Sequence, residues 1–236
     1  MSVADELARM DQGYAYFAER LDLLDDERLG EPSGLVGWTR KHVTAHVGFN
    51  ARALRRLVHW AATGERTPMY ADDKARAAEI EQGAVLPAPD LRELVRTEQS
   101  RLRAALDGLD TPGWDAIVVT GQGRQVPACE VPWLRTREVW VHAVDLCDGA
   151  DFTDFPADLL DALIADVIVT WRRRGQPPAL VVAPTDRDRE WTTDAPGTPT
   201  RVLGRAADLT RWLTGRGARE VGTSDGAPLP HIGHWL

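Results

Sequence analysis

The sequence predicts an α+β protein, with an N-terminal four-helix bundle followed by a smaller C-terminal α/β domain. Through most of the first part of the chain, apolar residues recur at steps of three and four, which is the spacing of amphipathic helices. From about residue 154 onward, short apolar runs alternate with polar stretches that contain proline and glycine, which is typical of strands joined by loops. We therefore predict two domains, a helical one over residues 1–153 and a small α+β one over residues 154–236.

In the helical domain, the helices are predicted from residues that typically begin or end a helix as well as from the apolar periodicity. Thr39 is a residue type that caps helix N-termini, and Gly64 one that ends helices. Pro132 suits a first helical turn, and Gly149 is the expected end of the last helix. The four predicted helices are 3–24, 39–64, one that starts at 90, and 132–149, with a short hairpin over 114–127 before the last of them.

The C-terminal domain is predicted to mix helices and strands. The expected helices are one that includes 159–171 and ends in 172–175, and one over 206–214, and the expected strands are 179–183 and 200–203. The stretch between the two strands is polar and contains proline and glycine, so we expect it to form a loop. The tail after Val221 is expected to be irregular.

Composition limits the possible functions. The 236 residues are 43% hydrophobic and 27% charged, as in a folded globular protein, and the formal net charge is −8. An acidic surface gains nothing by releasing counterions from nucleic acid or from an anionic membrane. No apolar run approaches the ~20 residues that cross a bilayer, and the N-terminus lacks the pattern of a signal peptide. We expect a cytoplasmic protein that binds neither nucleic acid nor membrane.

Glu138 and His142 are the first candidate metal ligands. They stand four residues apart in a predicted helix, a step that leaves two side chains ~40° apart and about 6 Å along the axis. A carboxylate and an imidazole on one face can bind a single zinc ion, although a surface pair at this spacing is also common. Asp145 follows on the same face, either as an acceptor for the second ring nitrogen of His142 or as a solvated acid.

Two further imidazoles lie upstream, on or beside the apolar stripe of the second predicted helix. His42 and His46 are again four residues apart, and a buried imidazole needs a polar partner. If the two helices face each other, one of these histidines completes a three-ligand site with an open position, as in catalytic zinc centres. The spacing alone does not choose between them.

Four segments of the chain resemble the mycothiol-dependent maleylpyruvate isomerase family: 37–50, 59–70, 137–146 and 215–217. The resemblance implies a DinB-like four-helix bundle, a smaller C-terminal α/β domain and one zinc ion. It implies that His46, Glu138 and His142 are the ligands, that His42 is not one, and that Arg216 is important for activity. The segment 59–70, which no zinc site requires, makes the match more specific than the metal ligands alone.

The activity implied by this resemblance is cis–trans isomerisation of maleylpyruvate to fumarylpyruvate, in the gentisate route of aromatic degradation. Zinc and mycothiol are the implied cofactors, since a metal-bound thiol ionises near neutral pH and its thiolate can add reversibly to the substrate double bond. Arg216 would pair with a carboxylate of the dicarboxylate substrate. Without the resemblance, Arg216 is better interpreted as a cation at a helix C-terminus.

Several other residues are weaker candidates. Arg135 would either face the same pocket and bind an anionic substrate or form a surface salt bridge. Tyr70 and Trp38 are expected to be core or pocket-lining aromatics. His231 and His234 lie in the predicted irregular tail without an acidic partner nearby, and we do not expect them to bind metal.

Two other functions fit the same residues. A mycothiol S-transferase would use the metal-bound thiol to conjugate an electrophile permanently, and ligand spacing does not separate transfer from isomerisation. A non-enzymatic module would use zinc only to fix the bundle and would bind a protein partner. The identity of the divalent metal and the oligomeric state stay open, with a monomer favoured.

Overall fold

The computed structural model describes residues 2–175 and 177–235. The chain divides into two compact units, Met1–Ala150 and Asp151–Leu236. The first unit is built from helices and one short hairpin, and the second from helices and a four-stranded sheet. The predicted fold class is confirmed.

Four long helices form the bundle of the first unit. The helices of this unit are α1 (Val3–Leu23), α2 (Arg40–Thr63), α3 (Asp73–Ala84), α4 (Ala88–Asp107), α5 (Thr111–Asp115) and α6 (Val131–Asp145). In the bundle α2 packs against α4 and α6, and α1 packs against α6, while α3 lies on α2. Large apolar side chains from α1, α2 and α4 fill the centre, and burial of each contributes about 1.5–3 kcal/mol. Those that are at most 1% exposed include Met10, Phe17, Leu54, Leu57, Leu102 and Leu106.

The helix ends follow the capping signals in most places. Thr39 and His42 form a capping box at the start of α2, and Gly64 ends that helix in the left-handed conformation. The predicted end of the last bundle helix at Gly149 is wrong, because α6 stops at Asp145. The backbone carbonyl of Asp145 accepts a hydrogen bond from the N–H of Gly34, 2.8 Å away, in place of a helical partner at position 149.

Two short elements between the bundle helices differ from the prediction. The helix α3 was not predicted, and its apolar periodicity is weak, since only Ile80, Gly83 and Ala84 are buried. The hairpin is confirmed as antiparallel strands β1 (Ile117–Val119) and β2 (Gln125–Pro127). Its first predicted residue, Trp114, belongs instead to the short helix α5, whose N-terminus is capped by the Asp110 carboxylate.

The second unit contains a mixed sheet of four strands. The elements of this unit are α7 (Ala157–Arg173), β3 (Leu180–Pro184), β4 (Trp191–Thr192), β5 (Thr200–Gly204), α8 (Ala206–Leu213) and β6 (Gly222–Thr223). The strands lie in the order β4-β3-β5-β6, in which the central pair β3 and β5 is parallel and both outer pairs are antiparallel. The predicted helices and central strands are confirmed. The expectation of irregular chain was wrong at β4 and β6, because two-residue strands are too short to show an alternating pattern.

One close approach fixes α6 in the bundle. Gly13 of α1 lies against Trp140 of α6, and a Cβ atom added at Gly13 would stand 2.4 Å from the indole ring. The Tyr16 ring stacks on the same indole with centroids 4.9 Å apart.

Within the described residues, no helix combines the length and the apolar character needed to cross a membrane.

We expect Gly13→Ala to destabilise the bundle by about 1–3 kcal/mol, because the added methyl group collides with a buried indole. Urea unfolding followed by tryptophan fluorescence measures this change. Gly108→Ala is the matched control, since a Cβ atom there meets nothing closer than 3.6 Å. An equal loss of stability in both variants would contradict the close-approach argument.

Candidate metal centre

Helices α2 and α6 bring together three side chains that can bind a metal ion. The Oε2 atom of Glu138 lies 2.9 Å from Nε2 of His46 and 3.2 Å from Nε2 of His142. The two imidazole rings meet edge to face with centroids 4.7 Å apart. His46 is 5% exposed, and the side chains of Glu138 and His142 are 14% and 12% exposed. The three groups converge in a largely buried space.

Apolar packing on both helices explains this convergence. Ala45 and Val47 flank His46 on α2, and Val139 and Val141 lie between Glu138 and His142 on α6. These four aliphatic residues are at most 2% exposed. Because one turn of helix separates Glu138 from His142, the packing that fixes α6 sets both side chains at once.

The donor set fits a divalent ion of the zinc type. Two imidazole nitrogens and one carboxylate oxygen all lie within 4.8 Å of one another, and no other group of three His, Cys, Asp or Glu residues meets this criterion among the described residues. A tetrahedral zinc ion with bonds of 2.0–2.1 Å would separate its ligand atoms by about 3.3 Å. The two contacts to Glu138 are close to that spacing. Three ligands leave one position for water or another ligand.

Asp145 orients one of the candidate ligands. Its Oδ2 atom lies 2.8 Å from Nδ1 of His142, and the residue is 1% exposed. The prediction of an acceptor for the second ring nitrogen is confirmed, and the alternative of a solvated acid is wrong. A carboxylate on Nδ1 keeps Nε2 on the side of the ring that faces Glu138, where a metal would bind.

Burial and pairing move the pKa values of the three groups in different directions. Burial lowers the pKa of His46 to about 4, and its contact with Glu138 offsets this only in part. Burial alone would raise the pKa of Glu138, but hydrogen bonds from His142 and His46 hold it well below its usual range. For His142, burial is outweighed by Asp145 and Glu138, which raise its pKa.

Two aromatic residues and an arginine surround the centre. The Trp38 ring lies 5.7 Å from the His46 ring between centroids. The Arg76 Nη2 atom lies 3.4 Å from Nδ1 of His46. Burial raises the pKa of Tyr70 to about 12, with Arg76 and Glu138 among the charges that act on it. Trp38 and Tyr70 were predicted as core or pocket residues, whereas Arg76 was missed because α3 was missed.

Arg135 is fully buried, so the predicted alternative of a surface salt bridge is wrong. Its Nε donates to Gln99 at 2.9 Å, and its Nη1 donates to the carbonyl of Val47 at 2.7 Å and to Asn50 at 3.0 Å. Burial lowers the pKa of Arg135 to about 10, and the charge of Glu138 acts in the opposite sense. The guanidinium thus ties α6 to α2 one turn before Glu138.

The remaining candidates make other contacts. His42 accepts a hydrogen bond from the Thr39 backbone at 3.2 Å as part of the α2 cap. Arg216 lies in the second unit, where its Nη1 donates to the Thr214 carbonyl at 2.6 Å, next to the end of α8. That contact is typical of a cation at a helix C-terminus. Neither His231 nor His234 belongs to a metal-type cluster of the described residues.

Metal binding should release about one proton at pH 6.0. The raised pKa of His142 keeps its imidazole mostly protonated there, whereas His46, with a pKa of about 4, is already neutral. Zinc affinity should therefore fall by about tenfold per pH unit below the pKa of His142. Calorimetric zinc titrations in buffers of different ionisation enthalpy count the protons. Release of none or of two would contradict these pKa directions.

Comparison with known proteins agrees with the resemblance found in the sequence. The family model for the mycothiol maleylpyruvate isomerase N-terminal domain matches residues 10–147, and that for the MDMPI C-terminal domain matches residues 154–232. A crystal structure of mycothiol-dependent maleylpyruvate isomerase is 37% identical, with a TM-score of 0.95 over 100% of this chain and 98% of that one.

A second crystal structure, of a variant of that isomerase with one histidine replaced by alanine, gives the same identity, TM-score and coverage. A search of curated proteins found no match to this chain. The match of the family model to more than half of the chain, together with the full-length structural similarity, confirms the predicted resemblance. This chain belongs to the mycothiol maleylpyruvate isomerase family.

Proposed function

We propose that this protein is a cis–trans isomerase that converts maleylpyruvate to fumarylpyruvate with zinc and mycothiol as cofactors. The observation that carries the proposal is the convergence of His46, Glu138 and His142 in a chain that is similar over its whole length to an isomerase of that name. Three ligands with an open position suit an ion that must accept a further ligand. A purely structural zinc site is usually closed by four protein ligands.

The proposed roles of the residues at the centre follow from their contacts. His46, Glu138 and His142 hold the metal, and Asp145 fixes the His142 ring by accepting from Nδ1. When bound, zinc would stabilise the thiolate of mycothiol near neutral pH and so supply a nucleophile that adds reversibly to the conjugated double bond. The low pKa of His46 leaves its nitrogen available to a metal at neutral pH without competition from a proton.

Arg216 is proposed to bind a carboxylate of the substrate or the negative charge that develops on it. The support is the resemblance of residues 215–217 to the family. Gly215 and Gly217, both with positive φ, flank the arginine and set the course of the loop that carries it. A planar guanidinium binds a carboxylate through two parallel hydrogen bonds. The gentisate route, a cytoplasmic location and a monomeric state stay predictions.

The direct test adds maleylpyruvate to the zinc-loaded protein with and without mycothiol and follows the trans product. We expect isomerisation that depends on the thiol, with the thiol concentration unchanged after many turnovers. His46→Ala should lose zinc and activity together. Isomerisation without thiol, or full activity in His46→Ala, would contradict the proposal. Stoichiometric consumption of thiol would identify the S-transferase instead.

We expect Arg216→Gln to lower kcat/KM for maleylpyruvate by about 10- to 100-fold, since a charge-assisted bidentate pair is lost. Zinc content should stay equal to that of the wild type. The matched control is Arg205→Gln in the same unit, because Arg205 is 68% exposed and should not affect turnover. An unchanged kcat/KM in Arg216→Gln would contradict the assignment of this arginine as a substrate-binding residue.

A further inference from the structure

The two histidines of the metal centre differ at their second ring nitrogen. Nδ1 of His142 faces a carboxylate oxygen of Asp145 at 2.8 Å, the usual partner of a metal-bound imidazole. Nδ1 of His46 faces the Arg76 guanidinium instead, with Nη2 at 3.4 Å. A guanidinium has five donors and no acceptor. One imidazole therefore meets an acceptor and the other meets a donor.

Metal binding turns the contact of His46 with Arg76 into two donors side by side. In the free imidazole, Nδ1 can accept from Arg76 while the Nε2–H donates to Glu138. A metal on Nε2 moves the hydrogen to Nδ1, so that Nδ1–H and the guanidinium then point at the same space with no acceptor between them. A buried donor without an acceptor is unfavourable, and an anion would accept from both Nδ1–H and the guanidinium.

The charge of Arg76 is not neutralised by a carboxylate within the described residues. Glu79, three residues on along α3, pairs with Arg56 at 3.1 Å rather than with Arg76. The Arg76 side chain also contacts the Tyr70 phenol, which burial keeps neutral by raising its pKa to about 12. Arg76 is half-buried. Its cation is therefore both close to the metal centre and available to a ligand.

The charges around the centre favour a dianion. A divalent ion on two neutral imidazoles and the Glu138 carboxylate carries a net charge of about +1, and Arg76 adds another. Asp145 is already engaged with His142, and the buried Arg135 contributes a further positive charge one turn before Glu138. A ligand carboxylate that enters this space would be attracted both by the metal ion and by the Arg76 guanidinium.

We propose that Arg76 and the Nδ1–H of His46 together bind one carboxylate of the dicarboxylate substrate beside the metal. The identity of the substrate rests on the proposed function, whereas the anion site rests only on the contacts and charges of Arg76 and His46. Arg76 is thus assigned as a substrate-binding residue on α3.

Calorimetric titration of zinc-loaded protein with succinate, in the absence of any thiol, tests this site directly. Succinate is a four-carbon dicarboxylate without a double bond, so no reaction competes with binding. Arg76→Gln removes the charge, Arg76→Lys keeps the charge but loses the planar fork, and Lys74→Gln is the matched control. Lys74 is an exposed cation two residues away on the same helix. Zinc content is measured in every variant.

We expect Arg76→Gln to weaken succinate binding by about 10- to 100-fold, Arg76→Lys to weaken it less, and Lys74→Gln to leave it unchanged. In turnover, Arg76→Gln should raise KM for maleylpyruvate by a similar factor and KM for mycothiol by less than about 3-fold.

The same succinate affinity in wild type and Arg76→Gln, no measurable binding by the wild type, or loss of zinc from Arg76→Gln would each overturn the assignment. Failure of the proposed function gives a different result. Succinate binding would then still depend on Arg76, while the wild-type protein would not isomerise maleylpyruvate.

Discussion

The contact of Glu138 with two imidazoles is the interaction on which the rest of the centre depends. An ionised carboxylate inside an apolar bundle is costly unless it is paired. Here Nε2 of His46 from α2 and Nε2 of His142 from α6 lie within 3.2 Å of one oxygen. That arrangement requires α2 and α6 to pack at a fixed distance. The core formed by α1, α2 and α4, together with the Gly13–Trp140 approach, supplies this constraint.

Charge is distributed around this carboxylate in a way that links packing to chemistry. Arg135 is fully buried yet bonds to neutral oxygens of Gln99, Asn50 and a backbone carbonyl, so its charge is left to act on the centre. Asp145 holds one imidazole, and Arg76 lies against the other. The result is a buried site with a surplus of positive charge once a divalent ion is counted. Such a site suits anionic ligands, and both a thiolate and a dicarboxylate are of that kind.

Most of the bundle and the Glu138–His142 pair were predictable from the sequence, because long apolar stripes and a four-residue Glu–His step are local signals. The choice of His46 over His42 was not local. It needed the family resemblance, and the structure shows the physical difference, since His42 is used in the α2 cap. At the end of α6, the carbonyl of Asp145 accepts a hydrogen bond from the distant Gly34, a contact that no local pattern predicts. Arg76 was missed because α3 buries few apolar residues, so its periodicity is weak and tertiary contacts decide its position.

X-ray absorption spectroscopy of the zinc-loaded protein, before and after addition of mycothiol, tests the central claim most directly. We predict two imidazole nitrogens and light oxygen or nitrogen ligands at about 2.0–2.1 Å without thiol, and one added sulfur at about 2.3 Å with it. The added sulfur should disappear when the thiol is replaced by its S-methylated form. A spectrum that does not change on addition of mycothiol would contradict the account, because the open position would then have no role in binding the thiol.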